Sequence, residues 1–264
     1  MNVDGRVVVR AERRSSHTVL SRLECAGVLA ARSTPWGLYL VAAGASPVGV
    51  DRLEVDLELG EGAELEVRTL GATLARRGSR AGASRATTRA VVRDGAALAY
   101  LPEPGIACVG ARHRCEAVID VAPTARLCWR DEVVLGRHGE RVPGSWWSAL
   151  SIARGSRPLL ASELGLGPAA PLWQSPVALD GARAVSSVVL VAPELDARPA
   201  TSEVPGARGG RFPLAGPGVE VIALGESLAA CRAVVDSLLA PLSTSDCLVE
   251  QARTVIAGAR LRRA

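Results

Sequence analysis

A chain of 264 residues exceeds the commonest single-domain size, yet all-β proteins of this length often fold as one unit, so a single domain over residues 1–264 is expected. Hydrophobic residues make up 48% but aromatics only 3%, so the core must be built from Val, Leu, Ile and Ala. The net charge is +4, and every one of the 31 basic residues is Arg; scattered among nearly as many acids, these arginines argue against nucleic-acid binding, which calls for clustered basic residues interleaved with aromatics.

Met1 to Arg14 carries charges every few residues and no apolar leader core. No later stretch approaches the ~20 apolar residues of a membrane span, so a soluble cytoplasmic protein is expected. The six cysteines form no CxxC pair and read as buried thiols.

Leu53 to Leu59 alternates strictly between apolar and acidic residues, and after Gly60-Glu61-Gly62 the alternation resumes from Ala63 to Thr69. The period of two marks strands with one buried face. A three-residue hairpin would set Leu57 opposite Leu65 and Val55 opposite Val67. It would also set Asp56 opposite Glu66 and Glu58 opposite Glu64, which is destabilising unless the face is solvated, meets arginines from elsewhere or attracts a cation. Similar turn signals recur at Asp94-Gly95-Ala96, Pro123-Thr124-Ala125, Arg154-Gly155-Ser156 and Asp180-Gly181-Ala182, suggesting a loose repeat of stacked hairpin units.

Leu101-Pro102-Glu103-Pro104 removes two backbone donors and belongs at a strand edge or exit. Cys108, His113 and Cys115 offer soft ligands, but C-x4-H-x-C matches no standard zinc spacing, and burial of small thiols explains them as well. His138 lacks a nucleophile with its own base, and no GxSxG, HExxH, GxGxxG or P-loop is present. Trp146, Trp147 and Trp173 read as core or interface anchors.

Ala197 to Pro217 is dense in Pro, Gly and Arg and reads as a long mobile loop at about 197–217. Leu228, Cys231, Val235, Leu238 and Leu242 recur at helical steps behind Gly225-Glu226-Ser227, and Pro241 marks the end. Asp246 to Arg260 is a candidate second helix. The expected architecture is mainly β, a β-helical or layered body over about 1–224 with one or two C-terminal α-helices in 226–264.

Taken in order, Pro47-Val48-Gly49-Val50-Asp51-Arg52-Leu53, the Gly60–Thr69 arm and Gly95 through Leu101-Pro102-Glu103-Pro104 resemble the signature of the UreD (UreH) family of urease accessory proteins. The block Trp129-Arg130-Asp131-Glu132-Val133-Val134-Leu135-Gly136-Arg137 with Gly139-Glu140 is similar to that family's aspartate and glycine-arginine segment. The resemblance covers residues 16–165 and fades toward the C-terminus. It implies a right-handed β-helical scaffold that catalyses no reaction and binds UreF, the GTPase UreG and apo-urease. It further implies that nickel passes through this protein without being held stably, so that no cofactor is bound.

Asp51, Asp131 and Glu163 match positions where the family places acidic residues suited to that passage. A transit site needs oxygen ligands without a closed cage, because the ion must leave as readily as it enters. Gly49, Thr69, Pro102, Glu103, Pro104, Gly136, Arg137, Gly139 and Glu140 match as framework residues. Two alternatives remain at this point: a stand-alone β-helical binding protein without urease, or a metal-dependent enzyme using Cys108, His113 and Cys115.

Overall fold

One-sided alternation yields strands that bury one face against another layer, and here the layers are two sheets of a coil. The computed structural model describes residues 3–242. One sheet carries five parallel strands, β1 (Asp4–Arg14), β5 (Arg52–Leu59), β8 (Ser84–Val92), β11 (Arg112–Val121) and β13 (Ser145–Arg154). Antiparallel β2 (His17–Gly27) and β14 (Arg157–Leu166) close its two edges.

The facing sheet stacks β4 (Gly37–Ala42), β6 (Glu64–Thr69), β9 (Ala97–Tyr100) and β12 (Arg126–Leu135) in parallel. It is extended on one side by antiparallel β3 (Leu29–Thr34). On the other side lie antiparallel β15 (Ala184–Val191), β18 (Gly218–Gly225), β17 (Ala207–Pro213) and β16 (Ala200–Val204). Successive coils thus run β5–β6, β8–β9 and β11–β12, a solenoid-like stack.

The alternation over 53–69 is therefore correct and the expected hairpin is not. β5 and β6 lie in different sheets and never pair; Gly60-Glu61-Gly62 carries the chain from one sheet across to the other. Alternation reports which face is buried but not which strand lies alongside. Asp56 accordingly has Val8 and Arg89 as neighbours and ion-pairs with Arg6 at 2.8 Å and Arg89 at 3.4 Å. Glu58 pairs with Arg10 at 2.7 Å. Arginines from flanking rungs, rather than facing carboxylates, occupy this polar surface.

The turn signals stack as the repeat implied, for four of the five: Gly62 N–H donates to the Asp94 carbonyl (2.9 Å), Gly95 N–H to Thr124 Oγ1 (2.9 Å) and Gly155 N–H to the Val121 carbonyl (3.1 Å), with the Arg154 guanidinium on the Pro123 carbonyl. Arg154-Gly155-Ser156 also closes the β13–β14 hairpin, whereas Asp180-Gly181-Ala182 leads into β15 outside the coil. The main core fills the space between the sheets with Val7, Val9, Leu57, Leu59, Val67, Leu98, Ile119, Leu127 and Ile152.

Helix α1 (Leu228–Leu239) begins where expected, with Ser227 Oγ accepting from Ala230 N–H (3.2 Å). It buries Cys231, Val234, Val235, Leu238 and Leu239 against β15, β17 and β18 in a second core. Residues 197–217 are not a long loop: β16 and β17 form a hairpin turning at Gly206, whose φ is +80°. The glycines that suggested looseness serve packing, since a Cβ on Gly209 would sit 2.4 Å from the Ile222 carbonyl oxygen and 2.8 Å from Val234 of the helix. Arg211 ties the same hairpin to the helix end, its Nη1 donating to the Leu238 carbonyl (2.7 Å). Of the cysteines, Cys108, Cys128 and Cys231 are buried but Cys25 is exposed, because it lies on the solvent-facing edge strand β2. The candidate helix 246–260 and Cys247 lie outside the described residues.

Candidate functional site: a cavity between the sheets

Short strands β7 (Thr73–Ala75) and β10 (Gly105–Ala107) continue the rungs begun by β6 and β9. Each is separated from its predecessor by a bulge, 70–72 in one coil and 101–104 in the next. β12 runs through the same level unbroken, pairing with β9 over 126–129 and with β10 over 133–135. Pro102 and Pro104 thus lie at the exit of β9, one of the two places expected for them, in a bulge where missing ladder donors cost nothing. Thr69 joins the two bulges, its Oγ1 accepting from Glu103 N–H (2.9 Å) and donating to the Gly71 carbonyl (3.0 Å). Pro104 contributes its carbonyl to Thr73 N–H (2.9 Å).

Behind the bulges lies a cavity of about 480 Å³. Its lining extends from Leu29 and Leu40 at one end of the stack to Trp146 and Leu150 near the other, and it reaches the surface at the bulge around Leu70, which is exposed. Most of the wall is apolar, and polar groups converge on one region of it: Asp131, Cys115, His113, Tyr100 and Ser148. Alternation aims them there, because His113 and Cys115 share the inward face of β11 with Ile119.

The environment shifts each titratable group of that region. Burial raises the Asp131 carboxyl above its ordinary range, partly offset by a hydrogen bond with Ser148, while the nearby Glu132 carboxylate raises it further. Burial likewise pushes the Cys115 thiol well up, with Asp131 adding to it, and Tyr100 up to about 12. His113 is fully buried and driven down to about 4 by burial, so it is neutral. Its Nδ1 meets Ser84 Oγ at 2.7 Å, its ring lies 4.5 Å from Trp146, and Nε2 has no partner.

The other two acids expected on a nickel route lie elsewhere. Asp51 is buried but off the cavity wall; its carboxylate accepts from Val3 N–H (3.0 Å), Ser46 Oγ (2.9 Å) and Val48 N–H (2.9 Å). It thereby holds the loop whose Ser46 and Pro47 do line the cavity. Gly49 in this loop adopts φ +63° with Gly78 Cα 3.0 Å from where a Cβ would stand, so a side chain would strain the turn. Glu163 is exposed on β14, opposite Ala149, and reaches Arg114 at 3.6 Å on the outer face. The structure therefore brings Asp131 to the cavity and leaves Asp51 and Glu163 outside it.

Cys108 is also separate from His113 and Cys115: it is buried beside the 108–111 turn, away from the cavity wall. Among the described residues no three His, Cys, Asp or Glu side chains cluster closely enough to hold a metal ion. The Gly136–Glu140 segment is a clasp. Glu140 Oε2 accepts from the N–H groups of Arg137 (2.9 Å) and Val109 (3.0 Å), and its Oε1 pairs with the Arg137 guanidinium (2.7 Å). Gly136 and Gly139, at φ +81° and +83°, allow the tight turn.

One cluster was not anticipated from the sequence. Glu132, wholly buried, accepts from Arg232 Nε (2.9 Å) and Nη2 (2.5 Å) on α1 and from Ser186 Oγ (2.9 Å) on β15. Arg130 lies 3.5 Å from the same carboxylate, and its Nη2 donates to the carbonyls of Leu101 (3.2 Å) and Pro102 (2.7 Å) in the bulge. Glu103, half-exposed at the cavity rim, faces Arg232 at 3.9 Å. The signal was an Arg-Asp-Glu triplet inside the apolar run Leu127–Leu135, where a strand covered on both faces must pair its charges. Arg232 stands 100 residues away and carried no such signal.

A family model described as UreD urease accessory protein matches residues 3–256. The chain belongs to the UreD family. A UreD protein of Parafrankia sp. (strain EAN1pec) is 39% identical over 227 residues, 79% of this chain and 76% of its own length. The UreD of Streptomyces coelicolor (strain ATCC BAA-471 / A3(2) / M145) is 37% identical over 248 residues, covering 92% of this chain and 97% of that protein. UreD membership supports a role in urease maturation, as an accessory protein rather than an enzyme, and implies partnership with urease and other accessory proteins. Among the described residues no helix is long and apolar enough to cross a membrane.

Removing Glu132 would strand two guanidiniums. Glu132→Ala is expected to cost about 3 kcal/mol or more of unfolding free energy in urea titration, whereas a loss under ~1 kcal/mol would show the network to be dispensable. His113 titrates at its ordinary 6.5 when unfolded and near 4 when folded, so its neutral form stabilises the fold fully above pH 6.5 and that contribution is lost as pH falls toward 4. Asp131, with its folded pKa raised, acts in the opposite sense. Comparing wild type with His113→Gln by urea unfolding across this range should show a shallower acid loss in the variant, and parallel curves would contradict the assignment.

Proposed function

We propose that the chain is a cytoplasmic nickel-insertion scaffold for urease, binding UreF, the GTPase UreG and apo-urease while nickel passes through its inter-sheet cavity. The observation that carries this reading is the placement of Asp131 in that cavity. A carboxyl pushed toward its neutral form by burial gains most from a passing cation, because a divalent ion restores the ionised state that burial disfavours. Cys115 and His113 Nε2 offer softer donors on the same wall, and Glu103 stands at the rim. In this reading these donors act one at a time rather than as a closed cage, because transit requires that each contact release the ion.

In this reading Asp51 acts by shaping the wall through the Ser46–Pro47 loop, and Glu163, on the outer face, lies off the path. The chain supplies positioning and a protected route, and the GTPase supplies the switch. Nickel is cargo, and no cofactor stays bound.

Co-expression of Asp131→Ala with the other accessory proteins and urease tests both halves. Expected are an intact complex on size exclusion and urease with markedly reduced nickel content. Unchanged nickel loading removes Asp131 from the route, and failure of the wild-type chain to associate with any of these partners overturns the scaffold reading itself.

A further inference from the structure

The turns on the side of the coil opposite the Gly62 stack carry a charge pattern that the maturation reading does not use. On the outward faces of the strands Arg6, Arg10 and Arg89 meet carboxylates of neighbouring rungs. Arg76, Arg77 and Arg80, on the loop between β7 and β8, and Arg112, at the start of β11, instead line one concavity of about 320 Å³. All four are exposed, and among the described residues none of their guanidiniums has an ion-pair or hydrogen-bond partner.

This convergence is built into the backbone. Gly49 N–H donates to the Arg76 carbonyl and Arg76 N–H to that of Pro47, both at 3.1 Å, which anchors the loop while leaving the side chain free. Gly78 lies directly on Gly49, where a Cβ would come within 2.5 Å of the Gly49 Cα. A Cβ on Gly110, which has φ +70°, would stand 3.1 Å from Arg77 Cδ, so this glycine leaves room for the arginine stem. Glycine thus lets two adjacent turns close together, and the arginines they bear surround a floor with few side chains.

Four like charges around one hollow repel each other unless a polyvalent anion sits among them. The planar guanidinium fork matches phosphate oxygens two at a time, and glycine-lined backbone permits close approach. A protein partner needs a broad contact surface, whereas this site is small and concave. We propose that it binds a compact oxyanion of the phosphate class, free or carried on a nucleotide.

Calorimetric titration of the full chain with inorganic pyrophosphate, and separately with GTP, tests this independently of any role in urease maturation. Saturable one-site binding is expected. The Arg77→Ala/Arg80→Ala double variant and, independently, Arg112→Ala should weaken it about ten-fold or more. Arg157→Ala, an exposed arginine at the opposite turns, should leave it unchanged. Equal affinity for both ligands identifies the phosphate groups alone as the ligand, and tighter GTP binding identifies a nucleotide. No saturable binding of either, an equal loss in Arg157→Ala, or binding of a Glu-rich peptide in place of pyrophosphate would overturn the proposal.

Discussion

In-register parallel stacking is the constraint from which the rest follows. Each rung hydrogen-bonds to the ones before and after it, so a departure in one coil must be matched or compensated in the next. The coils containing β6–β7 and β9–β10 depart together, at 70–72 and 101–104, while β12 does not. Backbone carbonyls freed at the second bulge would be costly if left unpaired, and the Arg130 guanidinium meets two of them. Charge buried to satisfy the bulge requires counter-charge, which Glu132 provides, and Glu132 in turn draws in Arg232 from the terminal helix. The cavity rim and the ion pair that ties α1 to β12 thus follow from the interruption these two coils share, while α1 docks through its own apolar face.

The same constraint divides the acidic residues by role. Carboxylates on outward positions, such as Asp56 and Glu58, lie beside arginines of adjacent rungs and cover the surface with ion pairs worth little individually. Asp51 is spent on Val48 N–H and the Ser46 hydroxyl of its own turn and on Val3 N–H from the N-terminal segment. Asp131 alone among the expected acids faces enclosed space, and its chemistry differs for that reason: an ordinary surface carboxylate is already ionised and hydrated, whereas a walled-in one gains from a cation.

Much of the fold was legible in the sequence, and what was missed shares a cause. Leu53–Thr69 announced two one-sided strands, Ser227 and the 3.6-residue period announced the helix, and the stacked Gly62, Gly95 and Thr124 turns were visible as a repeat. Partnership between strands was not, because a coil and a hairpin produce the same alternation. Gly209 and Gly210 suggested a loop because glycine signals a flexible turn and a close helix contact equally well. For the site, the ordered motifs pointed to the family and to Asp131. The pairing of Glu132 with Arg232, and the cavity itself, arise only when distant segments meet.

The central claim is that nickel travels through the space between the sheets, and narrowing that space without touching the outer surface tests it most directly. Ala117 lines the cavity from β11, and a phenyl group there would obstruct it. Urease matured with Ala117→Phe should carry far less nickel than urease matured with wild type, while the accessory complex assembles in equal yield. Full nickel content with the passage so obstructed would contradict the account.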